Sequence, residues 1–385
     1  MKKITWINFL HIYQPPWQER GIIEQAANES YEYLFRLFEK HKKFRATINI
    51  SGSLVDQLAE FRPELLKKLQ NLVKKNKLEL TGSAKYHALL PLLSVSEIKR
   101  QIILNQETLN KYFPDAEIKG FYLPEMAFAP FLGKVIKNFG YQYLIVDPII
   151  CSDKINNKFS YFLKDSGLQI IFRNREISKA YPAEIIFEKL KVAEDERELI
   201  ITGTDGEMYG HRHEDWQGHL EQILQNKNLE VLQIRDYLSL SEDKKIISLS
   251  SGSWESTKNE LKKGIPFALW NDPKNAIHQF LWDLVNLSTE LLTKYKKDPN
   301  FYWARQHLDR GLASCTFWWA SAKKPSDFSP LTWNPDMIDN GSEELVRSIR
   351  SLNRASVQER IKAERLYIEI KKNTWEKHWK KYHKQ

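Results

Sequence analysis

Short apolar runs recur along the first 250 positions, each followed by a stretch with helical spacing. ITWINFL (4–10), ATINI (46–50), LELT (78–81), IKGFY (118–122), residues 142–146, ELIITG (198–203) and IISL (246–249) are rich in β-branched and aromatic residues. Gly, Pro, Ser and Asn flank many of these runs, the pattern of buried strands. Between them, Leu54, Leu58, Phe61, Leu65, Leu66 and Leu69 keep helical spacing over 53–76. Ser94 and Glu97 fit a capping box that opens a helix reaching about 112. Further helices are expected around 28–41, 130–139 and 216–239, and Ser166-Gly167 reads as the turn of an inserted hairpin over 160–173. Strands alternating with helices predict parallel βαβ units, and seven of them predict an α/β fold of the TIM-like barrel type. After about 260 the β signal disappears, and helices are expected near 273–295, 300–315 and 341–382. The predicted division is a catalytic barrel over 1–260 and a C-terminal helical domain over 261–385, packed on the barrel because no low-complexity linker intervenes.

The segments that follow the strands hold the candidate chemistry, because βα loops converge at one face of a parallel barrel. Strand one runs into His11-Ile12-Tyr13-Gln14 and strand three into Lys85-Tyr86-His87. Strand four leads to Pro124-Glu125, strand six to Asp205-Gly206-Glu207 and strand seven to Ser253-Trp254-Glu255. Two carboxylates on such a face suit glycoside cleavage, one attacking the anomeric carbon and one protonating the leaving oxygen. Asp205 and Glu207 are two positions apart, so along a strand they face the same way and both compete for the acid role.

Composition narrows the partners. The chain has 385 residues, 42% hydrophobic, with a formal net charge of +9. The last fifteen residues hold six lysines and one acid, so most of the excess charge lies in one tail, which reads as a solvated helix end rather than a nucleic-acid surface. Two cysteines, far apart, form neither a disulfide framework nor a CxxC metal pair, and a cytoplasmic location is expected. MKKITWINFL begins like a signal peptide, but Asn8 and His11 break its short apolar run, so it reads as a first strand. No run approaches the roughly 20 apolar residues that a membrane helix needs. Aromatic residues make up 12% of the chain, with twelve Trp. Trp17, Trp254, Trp270, Trp318 and Trp319 are candidate platforms for sugar faces, Trp254 first among them because it follows a strand. His211-Arg212-His213 has the spacing of two metal ligands but is read as a polar loop, with His211 in reach of Asp205. No metal and no cofactor are expected.

The motifs resemble glycoside hydrolase family 57. HIYQPP (11–16) is similar to the family's opening motif, LELTGSAKYHALLPLL (78–93) to its second, GFYLPEMAF (120–128) to its third, and TGTDGEMYGH (202–211) to its fourth. LASCTFWWAS (312–321) is the best match to the fifth. The resemblance implies an incomplete (β/α)7 barrel followed by helices, and retaining chemistry on α-glucans or maltooligosaccharides. It implies Glu125 as nucleophile and Asp205 as general acid/base. His11 and His87 would line the subsite of the cleaved sugar, and Gln14, Glu207, His211, Trp254 and Trp318 complete the expected substrate-binding set. Tyr13 stands where many members carry a second His, and the fifth segment lacks an acidic residue that some members have; both departures bear on substrate.

Hydrolysis of the α-amylase kind, 4-α-glucanotransfer and glucan branching all share this catalytic pair. Two readings from other classes are a catalytically inactive glycan-binding protein and a metal-dependent polysaccharide deacetylase. The second requires an Asp-Asp pair after strand one and an HxxxH ligand set, and the chain has neither. Sequence does not fix the oligomeric state.

Overall fold

Among the described residues, ten strands form one sheet: β1 Lys3–Ile12, β2 Ala46–Ile50, β3 Leu78–Gly82, β4 Gly120–Tyr122, β5 Tyr143–Val146, β6 Ser160–Leu163, β7 Gln169–Phe172, β8 Arg197–Asp205, β9 Leu229–Leu232 and β10 Lys244–Ile247. These come from a computed structural model, which describes residues 2–156, 159–192, 197–238, 243–325 and 329–382. The chain divides into two compact units. The first comprises 1–14, 18–85 and 90–254, and the second 15–17, 86–89 and 255–385.

Within the first unit, seven strands run parallel in the order β7-β5-β4-β3-β2-β1-β8. They form an incomplete (β/α)7 barrel. β2 and β3 are buried along their whole lengths, as strands covered on both faces are. β7 and β8 do not pair as strands. The chain after β7 crosses the gap instead: the Asn174 amide donates to the Ile201 carbonyl at 2.6 Å, and the Arg173 guanidinium donates to the Gly203 carbonyl at 2.8 Å. Ile7, Phe9, Tyr122, Tyr143, Ile145, Ile171 and Ile201 fill the barrel from its strands, with Ile234 and Trp254 added from outside the seven. Burying nine such side chains is the main stabilisation of this layer, at roughly 1.5–3 kcal/mol for each large apolar side chain.

Several expectations change. The hairpin over 160–173 is no insertion, because β7 completes the set of seven barrel strands and pairs with β5. The run near 246–249, expected as that strand, is instead the edge strand β10, paired with β6 and largely exposed. A single helix over 216–239 is replaced by a helix His219–Gln225, then β9, then a short helix Ile234–Leu238; residue 239 lies outside the described residues. An Asn226-Lys227-Asn228 turn stops the first helix, and Leu229 and Val231 alternate inward. β9 then shares one edge of β1 with β2, pairing residues 4–7 while β2 pairs residues 9–12. The helix expected over 53–76 is broken at Arg62, whose extended φ of −141° is what a following proline favours.

In the second unit, helices Ala276–Lys294, Phe301–Gly311, Ser314–Ala320, Pro335–Arg350 and Val357–Lys377 account for most of the chain after 260. The long helix expected over 341–382 is two helices. Ser356 and Glu359 form a reciprocal capping box that starts the second one. No described helix is long and apolar enough to cross a membrane.

Candidate active site

Parallel register sets the first relation: His11 of β1 lies beside Asp205 of β8, both at the C-terminal ends of their strands. Gly206 follows, and a Cβ there would sit 2.3 Å from Ile12 Cγ2, so only glycine lets the turn after β8 lie against β1. The chain then folds back. The Arg212 amide donates to the Glu207 carbonyl at 2.8 Å, and Gly210, at φ +101°, is packed against the Glu29 carbonyl. This return brings Arg212 to Asp205, where its Nη1 donates to Oδ2 at 2.6 Å.

Glu207 is enclosed, with 4% of its surface exposed. Three donors converge on its Oε1: the Tyr31 hydroxyl at 2.5 Å, the Gln14 amide at 3.4 Å and the Tyr13 backbone N–H at 3.4 Å. Tyr31 arrives from a one-turn π-helix, Ala27–Tyr31, whose Ser30 also donates to the Gly206 carbonyl at 2.8 Å. Such turns add a residue to a helix and redirect its side chains. Burial raises the Glu207 carboxyl above its ordinary range, with the Asp205 charge adding and the Arg212 guanidinium opposing.

His11 is buried and bonded through Nδ1 to Asn49 Oδ1 at 2.9 Å. Burial lowers its pKa to about 4 against the pull of Asp205, so near neutral pH the ring is uncharged. An accepting Asn49 oxygen puts the proton on Nδ1 and makes Nε2 an acceptor. The ring stacks on Tyr122 with centroids 4.5 Å apart.

Glu125 follows β4 in a left-handed conformation, φ 61° and ψ 18°, and Met126 also has a positive φ of 46°. Two consecutive non-glycine residues in this region cost of order 1–3 kcal/mol each and persist only where surroundings enforce them. The enforcement is visible. Trp254 donates its backbone N–H to the Glu125 carbonyl at 3.2 Å, and its indole Nε1 to Glu125 Oε2 at 3.0 Å. Trp254 is itself held by a bridge between Phe128 and Gly252 and by Arg173, whose guanidinium lies over the indole at 5.2 Å. Asp147 anchors Arg173 at 2.7 Å.

Tyr122 joins the two halves. Burial pushes its phenol well above the ordinary value, and the charges of both Glu125 and Asp205 push in the same direction. Its ring stacks on His11, beside Asp205, and stands edge to face with Trp254 at 6.1 Å, which bonds Glu125, so the surroundings of the two carboxylates meet at Tyr122. His11 and Trp254 stand edge to face at 6.2 Å and close the ring of contacts.

Not every expected residue takes its expected position. Trp254 is 8% exposed and braces Glu125, so it offers no open face as a sugar platform. His211 pairs with Glu29, and its neighbour Arg212 holds the position at Asp205 that was expected of His211. Gln14 donates to Tyr31 and Glu207. His87 and Trp318 belong to the second unit, where His87 bonds Ser314 Oγ at 2.9 Å and Trp318 packs edge-on against Trp319. His213 leans on Tyr181, and no group of three or more potential metal ligands occurs among the described residues.

Sequence reading passed over Tyr31, Asn49, Tyr122, Arg173 and Arg212. Asn49 and Arg173 carried a usable signal, since each lies at or just beyond the C-terminal end of a barrel strand. Tyr122 lies inside the segment already singled out for Glu125.

Residues 9–250 match the family model described as glycosyl hydrolase family 57. An alpha-amylase of Pyrococcus abyssi is 27% identical over 223 residues, which cover 54% of this chain and 33% of that protein. A 4-alpha-glucanotransferase of Thermococcus litoralis is 23% identical over 278 residues, 66% of this chain and 41% of that one. The chain thus spans about a third to two-fifths of the length of these curated relatives. In fold, it is similar to the crystal structure of 4-alpha-glucanotransferase from Thermococcus litoralis (TM-score 0.71, 18% identity, 92% of this chain and 60% of that chain). It is also similar to a branching enzyme of the same family type from Pyrococcus horikoshii (TM-score 0.68, 18% identity, 97% and 95%).

Proposed function

Because the chain belongs to glycosyl hydrolase family 57, we propose that it cleaves α-glycosidic bonds of α-glucans with retention of configuration. Glu125 attacks the anomeric carbon while Asp205 protonates the departing oxygen, which leaves a glycosyl ester on Glu125. Asp205 then takes a proton from an incoming hydroxyl, which displaces Glu125. The observation that carries this reading is the run of contacts from Glu125 through its hydrogen bond to Trp254, on to the His11 ring, which lies beside Asp205 in the strand register. Uncharged His11, with Nδ1 committed to Asn49, offers an acceptor to a sugar hydroxyl. The substrate is an α-glucan or maltooligosaccharide, a reading supported by relatives named alpha-amylase and 4-alpha-glucanotransferase. Two free cysteines, Cys151 and Cys315, fit a cytoplasmic setting.

Product profiling with maltoheptaose and amylose tests the proposal. The α-amylase reading predicts shorter chains only. Mixed longer and shorter chains would mean transfer, new α-1,6 linkages would mean branching, and binding without turnover would mean an inactive glycan-binding protein.

Trp254→Phe removes the indole donor to Glu125 and keeps an aromatic ring. A hydrogen bond to a charged group contributes about 1.5–3 kcal/mol. The expected result is a kcat roughly 10- to 100-fold lower with KM little changed, measured by steady-state kinetics on maltoheptaose.

A further inference from the structure

We propose that Asp205, Glu207 and Arg212 work as one unit, two carboxyls sharing one exchangeable proton and one guanidinium that pairs with whichever carboxyl is ionised. The inference rests on the function proposed above and makes Glu207 and Arg212 positioning residues for the acid/base.

Geometry gives the reason. In the free protein Arg212 is bonded to Asp205, which favours the carboxylate, yet a general acid must begin the reaction protonated. A second carboxylate beside it can take over the guanidinium when Asp205 carries its proton. Glu207 is placed for this. It is enclosed, it is separated from Asp205 only by Gly206 in the turn after β8, and the Arg212 backbone N–H donates to its carbonyl at 2.8 Å; the charges of Asp205 and Arg212 push its carboxyl in opposite directions. Arg212 bonds Asp205 and keeps 36% of its side chain exposed, so it is tethered at the backbone and not walled in at its tip. Three donors on Oε1 of Glu207 make Oε2 the oxygen that carries a proton when it is neutral.

Two arrangements follow. In one, Asp205 is ionised and paired, and Glu207 is neutral. In the other, Asp205 carries the proton, and Glu207 is ionised and paired. Only the second can donate. During cleavage the proton passes from Asp205 to the glycosidic oxygen as the bond from that oxygen to the anomeric carbon breaks and the bond to Glu125 forms. A proton returns to Asp205 from the attacking hydroxyl, so Glu207 gains and loses nothing over the cycle. Other titratable and charged groups near this unit are His11, Tyr31, Tyr122, Glu125 and Arg173, and the paired Glu29 and His211 beside the turn that carries Arg212. His11, Tyr31 and Tyr122 are all held neutral near pH 7, because burial opposes their charged forms.

The test is the pH dependence of kcat/KM for maltoheptaose and for α-maltotriosyl fluoride, whose leaving group needs little protonation. Glu207→Gln leaves Arg212 only Asp205 to neutralise, so the alkaline limb moves to lower pH by about one unit. Arg212→Gln removes the counter-charge, so the limb moves to higher pH by about one unit. Arg212→Lys falls between Arg212→Gln and wild type. With Glu207→Gln the loss on maltoheptaose exceeds the loss on the fluoride. A limb unmoved in Arg212→Gln, or moved the same way in both variants, overturns the inference; the Arg212 variant alone decides if Glu207→Gln does not fold. Wild-type protein inactive on both substrates would instead overturn the proposed function.

Discussion

Replacing Glu125 by glutamine is expected to lower kcat on maltoheptaose by at least about 10^4-fold, since loss of a residue that forms the covalent bond removes the whole nucleophilic route. The side chain keeps its shape, and an amide oxygen still accepts from Trp254, so thermal unfolding should barely change. Circular dichroism melts of the variant, set beside its kinetics, check both halves of the statement. A variant with wild-type turnover would remove Glu125 from the mechanism.

Asp205→Ala has the second-largest expected effect. General acid/base catalysis supplies about 10^2–10^4-fold, and this is the expected loss in kcat/KM on maltoheptaose. The loss on α-maltotriosyl fluoride should be much smaller. Azide separates the two roles by stereochemistry. With Glu125→Gly it replaces the nucleophile and yields the β-glycosyl azide by one inversion. With Asp205→Ala it attacks the intermediate and yields the α-anomer. Chromatography against the two authentic azides reads the outcome, and a β-azide from the Asp205 variant would reverse the assignment.

Much of this arrangement was legible because parallel strands advertise themselves. β1, β2, β3, β4 and β8 coincide with short runs rich in apolar, β-branched and aromatic residues, and each is followed by a candidate segment at a strand end. That rule alone reaches His11, Glu125 and Asp205. It failed where local pattern and long-range pairing disagree. β7 looks like half of a hairpin, which it is, and nothing local reveals that its other edge joins β5. β9 is four residues long and sits beside Leu220, Ile223 and Leu224, whose helical spacing dominates any window that includes both.

The supporting side chains were harder to find for a related reason. Tyr31 reaches Glu207 through a π-turn, a backbone detail with no composition signal. Trp254 was expected at the end of a barrel strand. It reaches Glu125 by a different route, because the loop after the edge strand β10 returns across Phe128. In His211-Arg212-His213 the histidines drew the eye, while the backbone turn fixed by Gly210 delivers the arginine between them to Asp205.

The measurement that bears most directly on the central claim is covalent trapping. A fluorinated α-glucosyl fluoride, which forms the glycosyl ester faster than it is released, is incubated with the protein, and proteolytic peptides are mapped by mass spectrometry. The mechanism predicts a single glycosyl adduct on Glu125 within GFYLPEMAF. An adduct on Asp205 or Glu207, or release of inverted sugar with no adduct, would contradict it.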